Sequence, residues 1–153
     1  MGEDRLKFAF YWAASCGGCE IAVLDINERI LDVVQIADIV FWPVAMDMKY
    51  KDVESMPDGY IDVCFFNGGI RTEEQEHLAK LLRQKSKILV AYGACAHLGG
   101  VPGLANITDR REIFEKAYVE TFSTVNPNRV MPETRVKVKE GELVLPEFYD
   151  TVR

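Results

Sequence analysis

Short apolar runs alternate with amphipathic segments along the first three quarters of the chain. Runs that predict buried strands occupy residues 6–11, 38–44, 61–66 and 87–92. Their nearly continuous apolarity is typical of strands covered on both faces of a parallel sheet. Apolar residues spaced by three and four predict a helix over residues 19–35. The alternation predicts an α/β fold with a flavodoxin-like, doubly wound parallel sheet.

Two further helices are predicted from their start signals. Thr72 and Gln75 match a capping box, and Asp109 with Glu112 can cap another helix. The polar stretch 45–60 is interpreted as a lid or docking loop.

The C-terminal part follows a different pattern. From about residue 120 the sequence consists of proline-bearing loops, except for a predicted hairpin over 135–145 that turns at Glu140 and Gly141. We expect one domain over residues 1–153, with about 120–153 as an irregular extension.

Composition limits the possible partners and location. The chain has 153 residues and a formal net charge of −6, so a nucleic-acid partner is not expected. No apolar run approaches the roughly 20 residues of a membrane span, and the start lacks a secretory pattern. We therefore expect a cytoplasmic protein whose cysteines are metal ligands, catalytic thiols or buried residues rather than disulfides.

Three of the cysteines follow predicted strands. Cys16 and Cys19 form a C-x-x-C pair after the first strand, and Cys95 follows the fourth. In a flavodoxin-like order the third strand lies between these two, so the loop with Gly68 and Gly69 would lie between the cysteine loops. Glycines there would let the backbone approach a bulky cofactor.

One local pair with one remote cysteine favours an iron–sulfur site over structural zinc, although spacing alone leaves zinc and a reactive dithiol open. The residues predicted to contact the cofactor are Gly17, Gly18, Gly68, Gly69, Gly93 and His97.

Three motifs carry a family resemblance: S-C-G-G-C-E at 15–20, F-F-N-G-G-I-R-T-E-E-Q at 65–75 and G-A-C-A-H-L-G-G at 93–100. The chain resembles the small subunit of F420-non-reducing, methyl-viologen-reducing nickel–iron hydrogenases, a family related to the 20 kDa subunit of NADH:ubiquinone oxidoreductase. The resemblance implies an electron-transfer subunit that is not catalytic alone. It further implies a proximal 4Fe-4S cluster with Cys16, Cys19 and Cys95 as metal ligands. The implied partners are a nickel–iron large subunit and other electron-transfer subunits.

The chain departs from that family at the fourth ligand. Family members supply it from a Pro-Gly-Cys-Pro segment just beyond the point where this sequence stops. We therefore expect a truncated or split chain whose cluster is incomplete or absent in the isolated protein. Cys64 lies inside a predicted strand and is interpreted as a buried thiol. The alternatives are a flavin-binding flavodoxin-like module and a C-x-x-C thiol oxidoreductase.

Several other residues have both a structural and a functional interpretation. Glu20 is expected to be an ordinary first-turn residue, and Arg71 a surface charge at a helix entrance. Trp12 and Trp42 could belong to an exposed docking surface with Met46, Met48 and Met56, or to the core; the sequence leaves both open.

Overall fold

The computed structural model describes residues 5–153. Its central sheet contains β1 (Leu6–Trp12), β2 (Ala37–Phe41), β3 (Ile61–Asn67) and β4 (Ser86–Tyr92). The strand order is β2-β1-β3-β4, and all neighbours are parallel. This is the order of a flavodoxin-like sheet, so the predicted fold class is confirmed.

Helices connect the strands. They are α1 (Gly18–Leu24), α2 (Ile30–Ile36), α3 (Tyr50–Ser55), α4 (Glu73–Lys85), α5 (Ala94–Leu98), α6 (Gly100–Gly103) and α7 (Arg110–Glu115). Short 3-10 turns cover Asn27–Arg29 and Leu104–Ile107, and a π-helical turn covers Lys116–Glu120. None of the helices in residues 5–153 is long and apolar enough to cross a bilayer.

The two faces of the sheet carry different cores because side chains alternate along each strand. One face packs aliphatic and aromatic residues against α3 and α4, including Ala9, Tyr11, Cys64, Phe66, Val53, Leu78 and Leu82. The other face is an aromatic stack. Phe10 lies with its ring centroid 4.9 Å from that of Phe65 and 4.7 Å from that of Trp42.

The single helix predicted over residues 19–35 is wrong in its continuity. The structure divides it into α1, a 3-10 turn and α2. Asn27 has a left-handed backbone with φ 53°, and its side-chain amide donates to the carbonyl of Asp25. A left-handed residue interrupts the helical hydrogen-bond ladder, and Asn tolerates this conformation better than most residues.

The predicted lid or docking loop over 45–60 also needs correction, because it contains α3. Lys49 begins this helix as its N-cap, and its backbone N–H donates to the Asp52 carboxylate at 2.7 Å. Val53 is fully buried in the aliphatic core. This part of the segment is therefore anchored to the core.

The C-terminal extension is irregular apart from one hairpin, as the sequence predicts. The hairpin is confirmed as β5 (Arg135–Val138) and β6 (Gly141–Val144). Residues 147–153 then return to the sheet edge, where Ile70 and Arg153 exchange backbone hydrogen bonds of 2.8 and 3.0 Å. The side-chain amide of Asn106 donates to the Val152 carbonyl and accepts from the Val152 backbone N–H, which also fixes this segment.

Candidate metal centre

The first cysteine loop begins where β1 leaves the sheet. Ala14 exchanges backbone hydrogen bonds with Gly69, of 3.0 and 2.8 Å, so the loop is fixed to the loop after β3. The Ser15 hydroxyl accepts from the backbone N–H of Gly17 at 2.9 Å. These contacts turn the chain sharply before Cys16, so that the cysteine pair lies at the start of α1.

Gly17 is required in this turn. Its φ is 81°, and a Cβ atom there would lie 2.7 Å from the ring of Trp12. Backbone in this region favours glycine, because other residues are strained there. Gly18 is different, since its added Cβ would meet only the Cys16 Sγ, at an ordinary 3.5 Å.

The second cysteine loop meets the first at Gly93. With φ 84°, Gly93 turns its backbone toward Cys19, and a Cβ atom there would overlap the Cys19 Sγ. On the far side of the loop, a Cβ on Gly100 would lie 2.9 Å from the Cys95 Sγ. Glycine therefore makes room for a sulfur atom at two points of this loop.

The thiols differ in exposure. Cys16 is exposed, Cys19 is half-buried and Cys95 is 7% exposed. Burial raises the pKa of the Cys19 thiol, and the nearby Cys95 and Cys16 raise it further. Both of those cysteines therefore lie within electrostatic reach of Cys19.

Cys64 lies apart from these thiols, as the sequence predicts. In the sheet it pairs with Ala9 on one side and Leu89 on the other, three residues before β3 ends. It is fully buried, and burial raises the pKa of its thiol to about 12. This environment is that of a core residue.

The loop after β3 lies between the two cysteine loops. Gly68 has φ 106°, and a Cβ there would lie 2.7 Å from the Ala14 carbonyl oxygen. Beside it, a Cβ on Gly69 would lie 2.5 Å from Val152 and 3.8 Å from the Cys95 carbonyl oxygen. Both glycines therefore allow the loops and the C-terminal segment to pack closely against one another.

Asn67 was not singled out by the sequence analysis. It ends β3 and is fully buried, and neither of its side-chain polar atoms has a hydrogen-bond partner in the described part of the chain. No sequence signal distinguishes it from an ordinary turn-forming Asn.

Glu20 lies in the first turn of α1, as expected, but its side chain is only 2% exposed. Its Oε2 accepts from the indole N–H of Trp42, whereas Oε1 has no hydrogen-bond partner among residues 5–153. The Tyr92 hydroxyl lies close by and donates to the Cys19 carbonyl at 3.4 Å. Burial raises the pKa of that phenol, and Cys19 and Glu20 raise it further. A buried acid therefore adjoins the cysteine loop.

His97 remains exposed on α5. Its backbone N–H donates to the Gly93 carbonyl at 3.1 Å, so it helps to form the turn that carries Cys95.

The tryptophans and methionines divide between surface and core. Trp12 and Met46 are 41% and 39% exposed, whereas Trp42 is 2% exposed. Met48 and Met56 pack against the aliphatic core. The sequence could not make this division.

The donor set can be compared with the needs of a single metal ion and of an iron–sulfur cluster. Within residues 5–153, no group of three His, Cys, Asp or Glu side chains converges on one ion position. An iron–sulfur cluster has a different requirement, because its thiolates bind separate iron atoms around a larger body. The three thiols lie on adjoining glycine-rich loops and are of the ligand type that such clusters use.

The fold and the loops define a flavodoxin-like α/β protein with thiols at the carboxyl edge of its sheet. The chain belongs to the NADH ubiquinone oxidoreductase, 20 kDa subunit family, whose profile matches residues 16–139.

Two relatives are hydrogenase subunits. The chain is 50% identical over 149 residues to the iron-sulfur subunit of the F420-non-reducing hydrogenase of Archaeoglobus profundus, covering 97% of this chain and 46% of the relative. It is 37% identical to a subunit of the F420-non-reducing hydrogenase of Methanothermobacter thermautotrophicus, covering 92% and 44%. The chain thus spans less than half the length of either relative. The family resemblance predicted from the motifs is confirmed.

The fold recurs in a solved structure. A chain of the NAD+-reducing [NiFe]-hydrogenase, crystallised in its H2-reduced state, superposes with a TM-score of 0.77 at 24% identity. The match covers 97% of this chain and 74% of the other. It supports the fold assignment.

Proposed function

We propose that this chain is an electron-transfer iron–sulfur subunit of a nickel–iron hydrogenase complex. The observation that carries the proposal is the meeting of the two cysteine loops, where Gly93 makes room for the Cys19 sulfur. The similarity to a subunit named for its iron–sulfur content supports the same function. A bound 4Fe-4S cluster would supply a one-electron carrier near the protein surface.

Cys16, Cys19 and Cys95 would hold the cluster. Cys16 is exposed and Cys95 is buried, so these two proposed ligands differ in their access to solvent. The backbone N–H groups of Gly17, Gly18 and Gly93 are candidate donors to cluster sulfurs, and such donors tune the potential. Gly68 and Gly69 support these loops through their backbone contacts, and the remaining predicted contact, His97, belongs to the same turn as Cys95.

A fourth ligand would have to come from outside residues 5–153 or from a non-cysteine group, since Cys64 lies inside the sheet. Val152 packs on Gly69, and the Arg153 carbonyl oxygen would lie 3.3 Å from a Cβ at Gly69. Val152 and Arg153 therefore lie beside the loop that separates the two cysteine loops.

A large subunit with the nickel–iron centre is the proposed electron donor, with further electron-transfer subunits as acceptors. Trp12 and Met46 are exposed apolar side chains that could contribute to such contacts. The single-domain organisation and the cytoplasmic location stay predictions.

The experiment is anaerobic purification of the protein with its large subunit, followed by iron and sulfide analysis and EPR. Each cysteine is changed to alanine in turn. We expect Cys16→Ala, Cys19→Ala and Cys95→Ala to lose iron and the EPR signal of the cluster. Cys64→Ala is the matched control, and it should retain both. Absence of a cluster from the wild-type complex would sink the proposal.

A further inference from the structure

A cavity of about 360 Å³ lies between the first cysteine loop and the C-terminal segment. Its wall includes Ser15, which directly precedes Cys16, and Phe148 and Val152 from the returning C-terminal segment. Arg71, after the loop of Gly68 and Gly69, also lines it. The electron-transfer function proposed above does not use this cavity.

Arg71 lies in an environment that its charge does not favour. The expectation that Arg71 is a surface charge is wrong, because the residue is only 4% exposed. Among residues 5–153, none of its three guanidinium nitrogens has a hydrogen-bond partner. Its Cζ lies 4.4 Å from the centre of the Phe148 ring, a cation–π contact that compensates only part of the lost hydration. Arginine stays protonated in proteins, so this charge cannot be removed by titration. A buried charge of this kind requires a counter-charge.

The nearest charges do not provide one. Burial lowers the pKa of Arg71; the nearby Arg110 lowers it further, and Asp150 raises it. Asp150 is already paired with Arg110, whose Nε lies 3.1 Å from its Oδ1, and the Asp150 side chain is 78% exposed. Two guanidinium groups therefore share one solvated carboxylate, which leaves one positive charge uncompensated.

The polar groups around the cavity are mainly donors. The hydroxyls of Ser15 and Thr72 accept backbone N–H groups at 2.9 and 3.3 Å, and each still carries its own proton. The amide oxygen of Gln75 accepts from the N–H groups of Arg71 and Thr72, so its amide nitrogen is the end left to donate. Among the described residues 5–153, none that lines the cavity is acidic.

We propose that this cavity binds a carboxylate group, with the Arg71 guanidinium turning from its covered position against the Phe148 ring to become the main partner, and the Ser15 and Thr72 hydroxyls as further donors. A guanidinium fork matches a carboxylate in two parallel hydrogen bonds. The apolar walls formed by Phe148 and Val152 would exclude water and strengthen that pairing. The carboxylate has two possible sources: a small free acid, or an Asp or Glu side chain of a docked protein segment.

The test is titration of the protein with sodium acetate against sodium chloride at matched ionic strength. The arginine Nε–H resonances are followed by NMR, and Tm is measured in parallel. Arg71→Met removes the guanidinium and assigns its resonance. Arg29→Met is the matched control, because that side chain is 81% exposed and its ion-pair partner Asp32 lies 4.0 Å away.

Acetate should shift the Arg71 resonance in the wild type. At an acetate concentration of about ten times Kd, Tm should rise by about 3–6 °C in the wild type and in Arg29→Met. In Arg71→Met, acetate should leave Tm unchanged. If Arg71→Met does not fold, Arg71→Lys serves for the assignment. An absent acetate-specific shift, or an equal response in the Arg71 variant, overturns the proposal.

The same titration on the complex with its partner subunits separates the two sources. A response that persists there identifies a free carboxylate as the ligand. If the response occurs only in the isolated chain, an acidic side chain fills the cavity in the complex.

Discussion

Replacing Gly93 by alanine is the sharpest single test of how the two cysteine loops fit together. Gly93 has φ 84° and ψ 170°, a region that is essentially restricted to glycine. The added methyl group would also overlap the Cys19 Sγ, which would have to rotate away. The substitution therefore combines backbone strain with displacement of a proposed ligand.

The two effects have separate magnitudes. Backbone strain of this kind costs about 1–3 kcal/mol. Moving the Cys19 side chain off its rotamer adds about 0.5–1.5 kcal/mol. The total of about 1.5–4.5 kcal/mol corresponds to a fall in Tm of roughly 3–18 °C for a domain of this size.

A double-mutant cycle with Cys19→Ala distinguishes the two parts. Without the sulfur, the nearest atom of residue 19 to the new methyl is Cβ, at 3.6 Å, an ordinary contact. We therefore expect Gly93→Ala to cost only the backbone part in that background, with a coupling of about 1 kcal/mol. Free energies of unfolding come from urea titration of the reduced protein, and iron content of the reconstituted complex gives a second readout.

Gly103→Ala is the matched control, because φ there is −64° and no atom of residues 5–153 outside its own helix and chain neighbours lies within 4 Å of the added methyl. It should be neutral or stabilise by up to about 1 kcal/mol. The reasoning is refuted if Gly93→Ala is no more destabilising than Gly103→Ala, or if its cost is unchanged when the Cys19 sulfur is removed.

Three further predictions concern stability. Burial raises the pKa of the Cys64 thiol from 9.0 to about 12, so its contribution to the free energy of unfolding is full below pH 9 and is lost as pH rises toward 12. Between pH 8 and pH 10.5 the wild type should therefore lose about 2 kcal/mol more of this free energy than Cys64→Val does. Equal pH dependence of the two proteins in urea titrations would contradict this. Thr72→Ala removes the side-chain acceptor for the Gln75 N–H at the start of α4. It should lower the free energy of unfolding, measured by chemical denaturation, by about 1 kcal/mol. An unchanged denaturation midpoint would mean that the cap is not formed. Trp42→Phe leaves both carboxylate oxygens of the buried Glu20 without a hydrogen-bond partner among residues 5–153. It should lower the free energy of unfolding by about 2–4 kcal/mol, and by less in a Glu20→Gln background. Equal costs in the two backgrounds would refute the role of the indole N–H.

The sequence specified much of the fold because the relevant signals are local. Apolar runs marked β1 to β4, and the Thr72 and Gln75 pair marked the start of α4. Alternation of strands and helices gave the parallel sheet, since parallel neighbours need crossover connections. Strand order then placed both cysteine loops at one edge. Asn27 shows where periodicity was insufficient, because a single left-handed residue divides a helix without disturbing its apolar pattern.

Which polar side chains are buried was decided by the tertiary structure alone. Glu20 and Arg71 lie at helix entrances, where sequence favours exposure, yet each is covered by an aromatic residue distant along the chain. Burial depends on such remote partners. The periodicity of the sequence shows only on which face of its own helix or strand a residue lies, and not what packs against that face. The sequence thus determined the sheet and its thiol-bearing loops. Only the packing of the C-terminal segment against Gly69 created the cavity around an unpaired Arg71.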